Sequence, residues 1–392
     1  MPAVDPWIGP RGSAAQRLLQ ILRAHGPITR PEAARLTGMS LGGIRPLVAA
    51  LIEDGQLVEQ PANRRPDQGR GRPGNVLVPT LPDGVVVGLD FGHAHLSVAV
   101  ADLLGEHLVH ERCEVDVDRR SDDALDTAAE LVRSLLRRSR RRASSVRRVV
   151  AGVPGPVDRA GRMRSSTIVP SWWQLSIADE IAARLRVDPA AVDIENDAHL
   201  GAIGEHRVGA AVGCSDLVYV KASHGLGTGL ILAGQLYRGA NGLTGEIGHA
   251  VVEAEGTLCR CGSRGCLETV VSIERVRQQI RFVSGSVEVD PLLAAEEHPA
   301  ARRIVLEAGR TLGRALADVC NLLNPERIVL GGELAGAGQA LVDGVAESIR
   351  RYAQPAIGET VVVLASLGER AQVVGATALA AARAREALWS VG

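Results

Sequence analysis

Long apolar runs are missing from this 392-residue chain, and so is lysine, of which Lys221 is the single example. No segment is an unbroken apolar stretch of the roughly 20 residues needed to cross a bilayer, so no membrane role is expected. The first residues, MPAVDPWIGPRGS, lack a basic stretch followed by an apolar core, which argues against a secretory leader and for a cytoplasmic protein. Net charge is scarce too: 44 basic against 45 acidic residues leave -1, so any nucleic-acid contact must come from a local patch. Cysteine is limited to six residues, three of them crowded into one stretch, which fits a metal site in a reducing compartment better than a disulfide framework. Cys113, Cys214 and Cys320 are expected to be buried small residues. With lysine nearly absent, positive charge is arginine, and beside abundant alanine and glycine this reads as GC-rich coding bias rather than a functional choice.

The densest chemistry lies in Gly245 to Glu268, GEIGHAVVEAEGTLCRCGSRGCLE. His249, Cys259, Cys261 and Cys266 supply one imidazole and three thiols, a complete set for tetrahedral zinc. Four protein ligands leave no open position for water or substrate, so the expected zinc is structural.

The chain is too long for one ordinary core, and two or three domains are expected. Residues 1–80 read as the first, a winged helix-turn-helix. Leu18, Leu19 and Leu22 mark a first helix ended by Gly26-Pro27; Thr29 and Glu32 form a capping box for a second, ending at Gly38; Ser40 caps a third that turns Ile44, Leu47, Val48 and Leu51 inward. Gln56–Glu59 and Asn75–Val78 read as the strands of a hairpin whose loop is PANRRPDQGRGRPG. Duplex DNA is the expected partner, with the helix from Ser40 in the major groove, Arg45 facing bases or phosphates, and Arg70 and Arg72 of the wing touching phosphate or the minor groove. Ten arginines against six acids in residues 1–80 support that over a protein-docking module. Gly42, Gly43 and Pro46 are poor recognition-helix residues, and Pro46 predicts a kink.

Residues 83–205 read as an α/β lobe. Val85–Leu89, Leu96–Ala101 and Arg112–Val117 are expected strands, the first ending at Asp90, with a turn at Leu103–Glu106, a helix from about Asp122 and a strand at Val149–Val153. The arginine-rich run 137–148 reads as a solvated helix end. Val192–Glu195 is a strand ending in Asn196-Asp197, where a carboxylate beside an amide can grip sugar hydroxyls or simply cap a helix. Three meandering strands followed by alternating helix and strand is the order of an actin-like sugar-kinase fold, not of a dinucleotide-binding one. Residues 206–371 read as a second such lobe, with the strand Leu217–Val220, a glycine-rich turn Ser223–Gly229, the strand Leu230–Ala233, a helix 300–323 and RIVLGG at Arg327–Gly332, and a last helix is expected from Gly375 to Leu388.

Together GLDFG, GVPGPVD, ENDAH, GLGTGLI, GLTGEIGH, CRCGSRGCLE and IVLGG resemble the ROK family of repressors, open reading frames and kinases, specifically its regulators with an N-terminal winged helix. The resemblance covers essentially the whole chain. It implies a two-lobed actin-like fold with a sugar in the cleft, zinc on the four residues above, and a homodimer or homotetramer. It also implies that Asn196, Asp197, Glu246, His249 and Glu268 hold a hexose, with Asp197 at the place of the kinases' catalytic base. The phosphate turns depart from the kinase pattern: Gly92-His93-Ala94-His95 offers neither hydroxyl nor lysine, and Ser223-His224 replaces Gly-Thr, which speaks against ATP and magnesium.

The expected function is therefore a sugar-responsive transcriptional regulator, a repressor, that binds an operator and a monosaccharide effector. The alternative is an ATP-dependent hexose kinase carrying a DNA-binding domain.

Overall fold

The computed structural model describes residues 14–25, 27–61, 75–80, 83–284, 292 and 298–390. They fall into two compact units, the first made of the described residues up to Asp83 together with Trp389 and Ser390, the second running Gly84–Leu388.

In the first unit α1 (Ala14–His25), β1 (Ile28–Thr29), α2 (Arg30–Thr37) and α3 (Leu41–Glu53) precede the hairpin β2 (Leu57–Pro61) and β3 (Asn75–Pro79). Thr29 accepts from Glu32 N while the Glu32 carboxylate accepts from Thr29 N at 2.8 Å, so the capping box forms, and Gly38 closes α2 at φ 74°. α2 and α3 turn by 109° across Gly38-Met39-Ser40, the angle of a helix-turn-helix. α3 runs through Pro46 as one helix, opened by Ser40 Oγ accepting from Gly43 N at 3.1 Å. β1 was not expected: its two residues pair with Leu77 and Val76 to make a three-stranded sheet ordered β1-β3-β2. Leu18, Leu22, Ile44, Val48, Leu57 and Leu77 close the core between helices and hairpin.

The second unit holds two five-stranded sheets. The first contains β4 (Val85–Phe91), β5 (His95–Asp102), β6 (His107–Glu114), then, after α4 (Ser121–Arg138), β7 (Val146–Val153), and, after α5 (Ile177–Leu185), β8 (Val192–Asn196), in the order β6-β5-β4-β7-β8. The third strand lies at His107–Glu114, not at Arg112–Val117. Asp102 Oδ1 accepts from Leu104 N and Glu106 N at 2.8 and 2.9 Å, so the turn closes tightly and the chain re-enters the sheet at once. As an edge strand with polar and partly exposed residues, it carries little apolar signal.

α6 (Asp197–Val208) leads to the second sheet: β9 (Leu217–Ala222), β10 (Leu226–Leu232) and β11 (Gln235–Tyr237) come first, followed, beyond α7 (Leu267–Val271), α8 (Ile273–Ser284) and α9 (Pro299–Leu323), by β12 (Arg327–Gly331), α10 (Gln339–Tyr352) and β13 (Val361–Leu364). Its order, β11-β10-β9-β12-β13, repeats the first: three antiparallel strands, then two added in parallel. The expected glycine-rich turn shrinks to Ser223–Gly225, because Leu226, Gly227, Thr228 and Gly229 pair with Ala222 through Tyr219 inside β10. Those glycines serve packing rather than phosphate, since a Cβ at Gly229 would stand 2.5 Å from Ala198 O on α6. α11 (Ala371–Ser390) returns to the first sheet, where a Cβ at Gly88 would stand 2.9 Å from Val373 O and His107 Nε2 meets Thr377 Oγ1 at 2.7 Å. Each sheet has its own core, Val87, Leu89, Val98, Val149 and Trp172 in one and Val218, Val220, Leu312, Leu316 and Ile328 in the other.

Candidate functional site

Strand ends from both sheets converge on one acidic floor. Asp90, near the end of β4, is 1% exposed; its Oδ2 faces His95 Nε2 at 3.2 Å and its Oδ1 has no hydrogen-bond partner among the described residues. Asn196 ends β8 and caps α6, with Oδ1 accepting from Ala198 N and His199 N at 2.8 and 3.1 Å and Nδ2 donating to Gly155 O at 2.8 Å. Of that dipeptide the amide is the helix cap, and Asp197 beside it faces the floor. Lys221 of β9 donates to Asp197 Oδ2 at 2.6 Å, with side-chain exposures of 15% and 9%. Burial works against the Lys221 ammonium, but the charges of Asp197 and Asp90 outweigh it and raise its pKa.

The two hairpin turns face each other at the edge of this floor, the rings of His93 and His224 lying 5.2 Å apart. His93 Nδ1 meets Asp118 Oδ1 at 2.8 Å, and His224 sits between Glu333 and Glu274 at 3.4 and 3.3 Å. The hydrogen bond to Glu333 raises the His224 pKa, and the same contact, helped by Arg277, holds the Glu333 carboxyl at about 2 despite partial burial. These turns are filled by histidine–carboxylate side-chain contacts.

Glu246, Glu268 and the four metal-type residues form the facing wall. Thr228 of β10 donates from N and Oγ1 to Gly245 O, both at 2.9 Å, anchoring the start of the loop to the sheet. His249 Nδ1, Cys259 Sγ, Cys261 Sγ and Cys266 Sγ lie within 4.8 Å of one another. The Cys261–Cys266 and Cys259–His249 separations are both 3.7 Å. Thiolates bound about 2.3 Å from a tetrahedral ion stand roughly 3.8 Å apart, so the donors fit a metal ion. His249 turns its other nitrogen, Nε2, toward Glu246 Oε2 at 3.8 Å, and Glu268 Oε1 accepts from Cys259 Sγ at 3.3 Å. Burial, followed by the charges of Asp197 and Glu268, raises the Glu246 carboxyl.

A buried network behind the floor escaped the sequence reading. Glu195 accepts from His199 Nδ1 at 2.9 Å and from Arg238 Nε at 2.7 Å, and His199 Nε2 meets Thr244 O at 2.9 Å. Burial alone would raise Glu195, yet the His199 hydrogen bond and the Arg238 charge bring it down to about 2, while Glu195 raises His199. The network ties the first turn of α6 to the segment that carries Glu246. Lys221 was also missed, although being the one lysine in the chain was the signal for it.

Residues 86–383 match the ROK family. The chain belongs to the ROK family. It is 25% identical over 374 residues to the xylose repressor of Caldicellulosiruptor bescii, a match spanning 90% of this chain and 91% of that protein. It is 29% identical over 318 residues to the glucokinase of Thermotoga maritima, spanning 76% of this chain and 98% of the kinase. A solved ROK family transcriptional regulator, described as a homologue of the E. coli MLC protein, superposes with a TM-score of 0.76 at 25% identity, covering 94% of this chain and 96% of that one. The ROK match thus accounts for the actin-like unit, and the regulator match extends over nearly the whole chain.

Outside the ROK unit, the candidate DNA residues separate. Ser40 caps α3 and Arg45 is exposed on it, whereas Arg70 and Arg72 lie outside the described residues. A pair absent from the sequence reading, Arg30 Nε with Glu59 Oε1 at 2.6 Å, joins α2 to the hairpin.

Proposed function

We propose that this chain is a sugar-responsive, DNA-binding transcriptional regulator, a repressor, whose ROK unit takes a hexose or a derivative as effector. The observation that carries it is a helix-turn-helix with a β-hairpin in the same chain as a ROK unit, a combination that the regulator match spans and the kinase match does not. In this reading residues 1–80 bind an operator through Ser40, Arg45, Arg70 and Arg72; residues 83–205 with 372–392, and residues 206–371, are the two lobes. Asn196, Asp197, Glu246, His249 and Glu268 hold the sugar, and a structural zinc on His249, Cys259, Cys261 and Cys266 fixes the wall that carries the last three of them. The chain acts as a cytoplasmic homodimer or homotetramer, and sugar in the cleft biases the lobes toward one arrangement that weakens operator binding.

The test is retention of DNA from the protein's own upstream region at low salt, with and without each sugar of a panel chosen by thermal shift. A sugar that raises the melting temperature and releases the DNA is expected; no DNA retention under any condition sinks the reading. Arg45→Ala is expected to weaken retention about tenfold without moving the melting temperature, as for a contact worth ~1–2 kcal/mol.

The second reading, a hexose kinase, is favoured by the glucokinase match over 98% of that enzyme. Against it stand the histidine–carboxylate contacts in the turns at His93 and His224 and the Asp197 oxygen already engaged by Lys221. Sugar-dependent release of ADP, abolished by Asp197→Asn, would establish it.

A further inference from the structure

Two buried acids and one ammonium occupy the floor of the cleft, and their placement is symmetrical. Asp90 is the last residue of β4 to pair with β7, opposite Gly152, and Lys221 is the last residue of β9 to pair with β12, opposite Gly331. Each is also one residue short of the final pair with its hairpin neighbour, Phe91↔Leu96 and Ala222↔Leu226. The two sheets thus present an acid and a base at matching positions, and Asp197 lies between them at the start of α6.

We propose that Lys221 is the fixed counter-ion of this cleft: its ammonium pairs with Asp197 and offsets part of the combined charge of Asp90 and Asp197 where a metal-bound nucleotide would otherwise have to, so the site takes an uncharged sugar alone. The ligand class rests on the sugar cleft proposed above; the counter-ion role does not. Three observations carry it. The Nζ–Oδ2 distance is 2.6 Å in a nearly buried setting. Asp90 is an almost fully buried acid with one oxygen lacking a hydrogen-bond partner among the described residues, and the Lys221 charge is one that acts on it. The chain meets every other need for a cationic side chain, apart from histidine, with arginine, and keeps lysine only here, where a compact point charge fits between two strand ends and a planar guanidinium fork does not suit. The charges facing Nζ are Asp197 from α6, Asp90 from β4 with His95 behind it, and Glu333 beyond β12.

Because the chain has one lysine, labelling the full-length protein with lysine carrying carbon-13 at Cε gives one side-chain NMR signal to follow. In the wild type this signal is expected to keep its charged position through pH 10, and in Asp197→Asn to titrate at least one unit lower, since burial then acts with one acid fewer against it. Millimolar magnesium chloride, alone or with ATP, is expected to leave it unmoved. A wild-type signal titrating near the free-lysine value of about 10.4 and unchanged by Asp197→Asn overturns the proposal, as does a magnesium–ATP shift. Should Asp197→Asn fail to fold, Lys221→Met is expected to bind magnesium that the wild type ignores, and equal indifference to magnesium overturns it. If no sugar of the panel moves the signal while the titration difference persists, the sugar reading fails and the counter-ion stands.

Discussion

The two sheets of the ROK unit share strand order and pairing sense, yet they furnish their shared cleft by different means. The first contributes acids and histidines held by hydrogen bonds within a few residues of the strand ends, Asp90 with His95 and His93 with Asp118. The second contributes a lysine and, from the long segment after β11, a loop organised by three cysteines and a histidine. A repeated scaffold therefore fixes where a side chain stands without fixing what it is. Opposite charge at matching register offsets part of the acidity of the floor, and among the described residues it is the second half whose wall carries a metal-type cluster.

That cluster offers the strongest way to break the comparison. Cys259→Ser with Cys266→Ser is expected to remove a bound zinc, from about one per chain to none by metal analysis, and to cost on the order of 4–5 kcal/mol in denaturant unfolding, with the first unit's helices unaffected. Next comes the shared floor. Lys221→Met leaves two buried acids without a counter-ion and is expected to cost roughly 3–5 kcal/mol, much of it recovered in the double variant with Asp197→Asn; additive losses in the urea midpoint would deny the pairing.

A smaller effect appears with pH, in the network at the start of α6. Glu195 lies at about 2 in the folded chain against an ordinary 4.5, so its contribution, roughly 3 kcal/mol, is present above pH 4.5 and lost as pH falls toward 2. His199 has the opposite sign: raised above 6.5, it contributes below that pH and fades as pH climbs through its folded value. Stability of Glu195→Gln measured against pH should show a shallower acid limb than the wild type, and an unchanged limb would remove Glu195 from the account. The smallest expected difference is steric. Gly229→Ala in the second sheet places a Cβ 2.5 Å from backbone oxygen Ala198 O, and Gly152→Ala in the first meets the tip of Leu200 at 2.7 Å. Backbone cannot step aside as a leucine methyl can, so the former should cost ~1–3 kcal/mol more in thermal unfolding.

What the sequence disclosed followed from how local each signal is. The Thr29–Glu32 capping box, the Ser40 cap and the start of α6 after Asn196 depend on atoms within three or four residues, and all form where the residues place them. The His249–Cys266 cluster was legible for the same reason, its donors falling inside 18 residues of one loop. Long-range pairing was not. β1 exists only because Leu77 lies beside Ile28, and the glycines of β10 look like a turn until α6 is seen pressing on them. Lys221 suffered most: bias explains the arginines and hides the one exception, whose partners Asp197 and Asp90 are 24 and 131 positions away by the numbering.

The solitary, nearly buried lysine also changes how this protein meets reagents. Acylating dyes, amine-directed cross-linkers and enzymes that modify lysine find one nearly buried side-chain amine, so such reagents are left with little beyond the α-amino group of each chain and report poorly on an assembly of several copies. Chemistry aimed at carboxylates or at the arginine-rich exterior is the informative choice for this surface.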